Sequence, residues 1–519
     1  MAETEKKKHG MPSSFTILLI LLAIVALVTV FVAPMSEGAV NAARLSDFFM
    51  APVFGFADAL PVCLFVLILG GFLGVMTETG ALDNGIAALV QKLKGNELMI
   101  IPILMAVFSL GGTVYGMCEE TVPFYALLTA TMMAAGFDPM VGAATVLLGA
   151  GCGCLGSTVN PFAVGAAVDA LTSSGIEVNQ TIIIGLGAVL WVVTTALSIV
   201  YVMSYAKKVK ADHGSTILTL QETEAAEAAH GAAAAEASKE VTLTGRQKGV
   251  LVLFALTFVV LIASFVPWED FGIEFWNAGY SEEEVVTELT TDDFVAAVGE
   301  DVADVEGELS GTVTSYEQTG YGWSSYITGL PLGQWYFDEA STWFFLMSII
   351  IGIVGGLSEK TIVDVFIAGA GDMMSVVLII ALARGISVLM AATGLDMYVL
   401  NAAAEALSGM SGVIFAPMSY ILYFGLSFLI PSTSGMATVS MPIMGPLAVQ
   451  LGFAPEVMVQ IFGAAIGVVN LFTPTSGAIM GGLALARIEW TTWLKFAMKL
   501  IVAITLVSIV IVTVAMLFL

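Results

Sequence analysis

Charged residues are scarce in this 519-residue chain: they fill 12% of positions, against about 25% in a soluble globular chain. Histidine is scarcer still. The three that occur, His9, His213 and His230, lie in terminal or linker segments, so no histidine proton relay or zinc site is available among the apolar runs. There are four cysteines, Cys63, Cys118, Cys152 and Cys154. The pair Cys152-Gly-Cys154 is too closely spaced and too isolated for a common zinc pattern, and all four read as small packing residues. No G-x-x-x-x-G-K-[ST] segment occurs, so ATP-driven pumping by this chain alone has no support.

Hydrophobic residues are abundant instead, at 58% of the chain, and they fall in runs of roughly 15 to 25, long enough to cross a hydrocarbon core. That composition excludes a cytosolic enzyme, a nucleic-acid binder and a secreted disulfide scaffold. The lipid bilayer is the expected partner. The first apolar run, 14–33, follows Lys6, Lys7 and Lys8; Pro34, Met35 and Ser36 make a poor cleavage site, so it reads as a retained membrane helix.

Short loops rich in Lys and Arg stay on the cytoplasmic side. One topology places 15 of the 17 basic residues there, all but Arg44 and the intramembrane Arg384. It has a cytoplasmic N-terminus, an external C-terminus, nine crossings and two hairpins that enter and return on one side, as expected in the cytoplasmic membrane. The chain then divides into a cytoplasmic start (1–12), a first membrane repeat (13–205) and a cytoplasmic linker (206–246). A connecting transmembrane helix (247–267), an external loop (268–338) and a second membrane repeat (339–519) follow. The linker carries QETEAAEAAHGAAAAEASKE at 221–240, a helix or a flexible tether. The external loop holds 16 acidic residues and no Lys or Arg, and so accounts for much of the net charge of −26. It reads as a solvated surface.

The two membrane segments repeat one another. GGTVYGMCEETVPF at 111–124 aligns without gaps onto IPSTSGMATVSMPI at 430–443, an offset of 319; GFDP at 136–139 matches GFAP at 452–455, and Asp58 matches Asp372. The single span at 247–267 reverses the second copy. Inverted repeats of this kind typify secondary transporters, whose sites lie where helices break near the bilayer midplane. The expected fold is an all-α polytopic membrane protein of two inverted-topology repeats with re-entrant hairpins and broken helices.

Each copy offers two breaks. The hairpin tips are expected at 111–121 and 431–442, and the mid-helix breaks at 155–162 and 470–477, where Pro161, Pro474, Gly156 and Gly477 interrupt apolar runs. Exposed amides at such breaks favour anions, while carbonyls with Ser, Thr or Asn oxygens favour cations. The candidate substrate and ion ligands are Thr113, Ser157, Thr158 and Asn160 in the first copy. Ser432, Thr433, Ser434, Thr473, Thr475 and Ser476 are those of the second. Ser157, Thr158, Asn160, Thr473, Thr475 and Ser476 are the candidates for sodium. Glu119 and Glu120 sit at the first tip and can take a proton, pair with a cationic solute group, help hold sodium, or cap a helix. Arg384 can clamp a carboxylate or serve as a structural partner for Glu78, Asp58 or Asp372.

With these residues in view, the chain resembles the YfcC-like transporters, grouped with anaerobic four-carbon-dicarboxylate carriers and arginine/ornithine antiporters of the ion transporter superfamily. The segments carrying the resemblance are GGTVYGMCEETVPFY (111–125), GSTVNPF (156–162), ALARGISVLM (381–390), IPSTSGMATVSMPIMGPLA (430–448) and NLFTPTSG (470–477). It implies a scaffold domain, a transport domain carrying both hairpins and elevator-like movement; oligomeric state is open, with a homodimer as one option because the scaffold domain of such folds often dimerises. The reading is a secondary active transporter of an amino acid or a mono- or dicarboxylate, coupled to sodium or protons or working by exchange, with no other cofactor. The alternatives are an ion channel and a membrane enzyme. The latter needs a convergent acid/base or metal constellation, and only the tip glutamates approach one.

Overall fold

A computed structural model describes residues 14–92, 96–118, 121–237, 242–266, 268–289, 311–430 and 432–519. The first copy contains α1 (Ser14–Val32), α2 (Leu45–Asp58), α3 (Leu60–Glu78), α4 (Ala81–Lys92), α5 (Ile100–Tyr115) and α6 (Val122–Ala134), then α7 (Pro139–Leu155), α8 (Ala166–Ser173) and α9 (Gln180–Ala211). The linker helix α10 (Leu220–Ala237) and α11 (Gly245–Phe265) lead to the second copy. That copy comprises α12 (Phe337–Gly355), α13 (Glu359–Asp372), α14 (Met374–Thr393), α15 (Leu395–Leu407), α16 (Gly412–Leu429), α17 (Thr433–Gln450), α18 (Pro455–Val469), α19 (Gly477–Leu485) and α20 (Trp490–Phe518). Among the described residues, eight helices are long and apolar enough to cross a membrane, and the shorter apolar helices include those at the expected hairpins and breaks.

The chain divides into two compact units, one formed by Met1–Ile262 with Phe344–Leu519 and the other by Ala263–Trp343. The second unit contains most of the acidic loop. It has the only strands among the described residues, β1 (Ser281–Leu289) and β2 (Gly311–Gly320), paired antiparallel with Val285 opposite Ser315. Beside this ribbon, Phe275, Trp276 and Trp323 pack together with ring centroids 5.1–5.2 Å apart, and the Trp323 indole donates to Phe275 O at 2.8 Å. Composition had marked this loop as a charged surface only; its aromatic residues give it an apolar cluster of its own.

In the larger unit the two copies run in opposite directions. The helices α2 and α3 are separated only by Ala59, as α13 and α14 are by Met373. These two bent rods lie side by side. Asn41 N donates to Thr393 O at 2.9 Å, Arg384 stands 3.6 Å from Asp58, and the Cys63 thiol meets Val377 O at 3.9 Å. Partner numbers fall as the first copy advances, so equivalent segments are antiparallel. The central helices agree: Leu155 of α7 lies against Gly467 of α18, and Gly151 against Leu471.

Packing between copies is reciprocal. Helix α2 packs on α14 while α3 packs on α13, and α6 packs on α19 while α17 packs on α8. A pseudo-two-fold relation between the copies produces this exchange. Within each copy the first hairpin arm packs on the central helix, α5 on α7 and α16 on α18. The α5–α7 contact is backbone against backbone: a Cβ on Gly153 would stand 2.2 Å from Ser109 O and 2.8 Å from Gly112 Cα.

The linker is a docked helix. Its buried positions, Glu222, Ala226, His230 and Ala234, recur every fourth residue and form one stripe. Thr219 and Glu222 make a capping box at its start, with Thr219 N donating to Glu222 Oε2 at 2.7 Å and Glu222 N to Thr219 Oγ1 at 3.3 Å.

The α5–α7 contact yields a stability test. Gly153→Val should destabilise the protein by about 2–3 kcal/mol through overpacking, read as a lower melting temperature in detergent. Gly185→Ala, where a Cβ meets no atom within 4 Å, should leave it unchanged or slightly raised.

Candidate functional site

Each hairpin turns for an identifiable reason. In the first copy α5 ends where Gly116 takes a left-handed conformation, φ 78°, which costs glycine little. Its missing side chain also makes room for Asn160, whose Oδ1 lies 2.6 Å from where a Cβ would stand. Thr121 N donates to Cys118 O at 3.1 Å just before α6 begins; Glu119 and Glu120 lie outside the described residues. In the second copy α16 ends at Leu429, since Pro431 follows and disfavours helix at Ile430. Ser432 then caps α17 by accepting from Gly435 N at 3.1 Å.

The tip expected at 431–442 is therefore much shorter. Helix resumes at Thr433, so Thr433 and Ser434 belong to the first turn of α17 and not to a loop. The alignment misled because the two copies stop their first arms with different residues, glycine in one and proline in the other, at positions that do not correspond.

The mid-helix breaks fall where proline and glycine placed them. The helix α7 ends at Leu155, and a π-helical turn, Pro161–Gly165, begins after Asn160. The Asn160 side chain caps that turn, accepting from Phe162 N at 2.9 Å, while its Nδ2 donates to Ser157 Oγ at 2.9 Å. Ser157 Oγ in turn donates to Cys154 O at 2.6 Å. The first tip is tied to this break by Thr113, whose Oγ1 donates to Gly156 O at 2.6 Å. Thr158 returns the link, N and Oγ1 donating to Thr113 O at 2.9 and 3.0 Å. All four first-copy candidates thus form one cluster, with Thr113, Ser157 and Asn160 buried.

In the second copy Thr473, Thr475 and Ser476 are all buried between α18 and α19. The Thr473 and Thr475 hydroxyls are 2.7 Å apart, and Ser476 N donates to Thr473 O at 3.3 Å. Ser476 makes no side-chain cap at the N-terminus of α19. Helix α14 touches both second-copy features: Ile380 packs on Gly477, and Arg384 Nη1 lies 4.0 Å from where a Cβ on Gly435 would stand. Among the described residues, no hydrogen bond between 432–434 and 473–476 parallels the Thr113 link. Of the partners considered for Arg384, the structure brings Asp58 to it.

Sequence reasoning missed three polar residues. Gln460 of α18 donates Nε2 to Ser157 O at 2.9 Å and to Ile183 O at 3.0 Å, so the second copy's central helix clamps the first copy's break onto α9. Its signal was a lone amide in the apolar run PEVMVQIFGAAIGVV. Its Oε1 is buried without a hydrogen-bond partner among the described residues. Asp138 caps α7 through Val141 N at 3.1 Å and accepts from Tyr205 at 2.5 Å and Thr216 at 2.7 Å. Glu222 joins the linker to the second copy, accepting from Glu489 N at 2.9 Å; its local signal is the T-x-x-E spacing at 219–222, which points to a cap and not to this partner.

The two clusters offer different chemistry. The first presents hydroxyl, carbonyl and amide oxygens, a donor set that suits a hard cation such as sodium. The second also offers the oxygens of Thr473, Thr475 and Ser476, and around it the starts of α17 and α19, with the Arg384 guanidinium that faces Asp58 at 3.6 Å, add groups favourable to an anion.

The model for the C4-dicarboxylate anaerobic carriers matches residues 50–517. The chain belongs to that family. The resemblance seen in its hairpin and break motifs is therefore borne out, and the chain is a multi-pass membrane protein of a carrier family. An uncharacterized protein of Haemophilus influenzae is 28% identical over 464 residues, 89% of this chain and 77% of its own length. The "putative basic amino acid antiporter YfcC" of Escherichia coli is 26% identical over 474 residues, 88% and 78% of the two chains. Among solved structures, the Alcanivorax borkumensis YdaH transporter covers 97% of this chain and 98% of its own at 15% identity and a TM-score of 0.46. Neisseria gonorrhoeae MtrF, described as illuminating a class of antimetabolite efflux pumps, gives 98%, 96%, 16% and 0.44.

The tie between tip and break is testable through Thr113. Thr113→Val keeps the shape but removes the hydroxyl, and should cost about 1–3 kcal/mol while speeding hydrogen exchange at the Thr158 amide. Thr113→Ser should retain both the stability and the protection.

Proposed function

We propose that this carrier is a secondary active transporter of a small carboxylate-bearing solute, an amino acid or a mono- or dicarboxylate, working by alternating access. The observation that carries the reading is that both copies place buried hydroxyl oxygens at their breaks, while the starts of α17 and α19 and the Arg384 guanidinium add groups that suit an anion beside the second. The family's description, dicarboxylate carriers, and the Escherichia coli relative's name, a putative basic amino acid antiporter, share one chemical group, the carboxylate.

In this reading the solute carboxylate lies near the starts of α17 and α19, with Ser432, Thr433, Ser434 and Ser476 as polar contacts. A coupling sodium ion takes oxygens from Ser157, Thr158 and Asn160, and a second from Thr473, Thr475 and Ser476. Coupling to protons or by exchange places the charge on Glu119 or Glu120 instead, and these are also the groups that would meet a solute ammonium. The hairpins and broken helices move as a transport domain against a scaffold of the bent rods.

Uptake into proteoliposomes with labelled amino acids and carboxylates, under imposed sodium or proton gradients, tests the proposal. Sodium-driven uptake of at least one carboxylate-bearing solute is expected. Ser157→Ala or Thr475→Ala should raise the sodium concentration for half-maximal uptake about tenfold, as loss of about 1.4 kcal/mol of binding would. Uptake indifferent to sodium in the unaltered protein would remove the sodium assignment, and absence of gradient-driven uptake of any such solute would overturn the function.

A further inference from the structure

The smaller unit, Ala263–Trp343, keeps its charges and its aromatic residues apart. Of the 16 acidic residues at 268–338, none falls within 318–337, and that stretch has no Lys or Arg either. The two strands carry Glu282, Glu283, Glu284, Glu288 and Glu317. The uncharged stretch carries Tyr321, Trp323, Tyr326, Ile327, Trp335 and Tyr336, and it runs directly into α12. The candidate site draws on none of these residues.

The fold sorts the side chains of this stretch. Leu332 and Trp335 are buried, and the Trp335 indole donates to Leu330 O at 2.9 Å. Five others are exposed: Tyr326 by 80%, Tyr321 by 64%, Ile327 by 56%, Trp323 by 53% and Tyr336 by 50%. Tyr321 and Tyr326 meet edge to face with ring centroids 6.3 Å apart, and Trp323 packs on Phe275, itself exposed, at 5.1 Å. Large apolar side chains grouped on a surface in this way mark a place of interaction.

Position decides the partner. The stretch is stitched to the last turn of α11, where Gly333 N and Trp335 N donate to Ser264 O at 2.9 and 3.2 Å. From the other side of the loop, the Trp268 indole donates to Ala263 O at 2.6 Å. Leu332 N donates to Ser324 Oγ at 3.2 Å, which brings 323–326 close to the same turn. Both α11 and α12 are long and apolar enough to cross a membrane, so this turn lies where hydrocarbon gives way to headgroups. The headgroup layer is about 5–8 Å deep on each face, and the stretch lies at its level. Trp and Tyr favour that layer because each joins an apolar ring to a polar tip. Lipid phosphates repel carboxylates, which matches the confinement of the strand glutamates to the ribbon.

We propose that 318–337 is an interfacial anchor, with Tyr321, Trp323, Tyr326, Ile327 and Tyr336 seated among the phospholipid headgroups where α11 ends and α12 begins, and the acidic ribbon held off the bilayer. The anchor does not rest on the transporter reading. Tyr326→Cys and, on the ribbon, Glu283→Cys are each labelled with bimane in the full-length protein and reconstituted into phosphatidylcholine vesicles, with the emission of the unaltered protein treated alike subtracted. A nitroxide on the lipid headgroups should quench the label at 326 about threefold more than the label at 283, and iodide on both sides should quench 283 more. Adding Tyr321→Ser and Ile327→Ser, both at exposed positions, should cut headgroup quenching at 326 about twofold. Equal headgroup quenching at the two sites would overturn the anchor. So would a label at 326 shielded from both quenchers, as it would be beneath a second copy of this chain. Headgroup quenching at 326 unchanged by the paired serines would overturn the role of these side chains in holding it.

Discussion

The antiparallel pairing of two bent rods, 45–78 against 359–393, is the constraint on which the rest of the larger unit depends. Once the segments lie against each other in opposite directions, the helices attached to them are carried into a pseudo-two-fold arrangement. The second hairpin arm of each copy then meets the short broken helix of the other, α6 on α19 and α17 on α8. Each second arm is thus shared, packed on its own copy's central helix and on the other copy's break. Small residues make the pairing close: Gly70 meets Gly369 backbone to backbone, with only 2.3 Å between Gly70 O and where a Cβ on Gly369 would stand.

Symmetry of backbone does not bring symmetry of chemistry. In the first copy the tip bonds directly to the break through Thr113 and Thr158, and Asn160 caps the helix that follows. In the second, Ser432 caps its own hairpin arm and α19 begins without a side-chain cap. One duplicated scaffold thus offers hydroxyl oxygens at both breaks, and uncapped amide ends with a guanidinium beside the second alone. A carrier of an anion driven by a cation needs that division, since charges of opposite sign must be held together and released together.

Much of this was legible in the sequence because proline and glycine act locally. Pro161 and Pro474 marked the breaks to within a few residues, and the repeated motifs announced two copies. The hydroxyl cluster of the first copy was recoverable because its members lie within five residues of a proline, with only Thr113 arriving from elsewhere. What was not legible depended on distant partners. The second tip was misplaced because alignment carries residue identity but not the point at which an arm stops. The rods α2 and α13 are poorly marked as membrane helices in the sequence because Asp47, Asp58, Lys360 and Asp364 interrupt their apolar character. Gln460, Asp138 and Glu222 were visible as residues, yet their partners lie 303, 67 and 267 positions away, and nothing local names them. The linker left open a choice between tether and helix, which only its contacts with Leu485 and Glu489 decide.

The central claim, that two copies of one unit face opposite sides of the membrane, is tested most directly by the sidedness of equivalent positions. Ala134 and Gln450 are equivalent, each near the end of a second hairpin arm. Cysteines placed singly at the two positions, in cells or sealed vesicles of known orientation, would be challenged with an impermeant maleimide. Inverted copies require one to react from outside and the other only from inside. Reaction of both from the same side would contradict the inverted arrangement and the division of the site that follows from it.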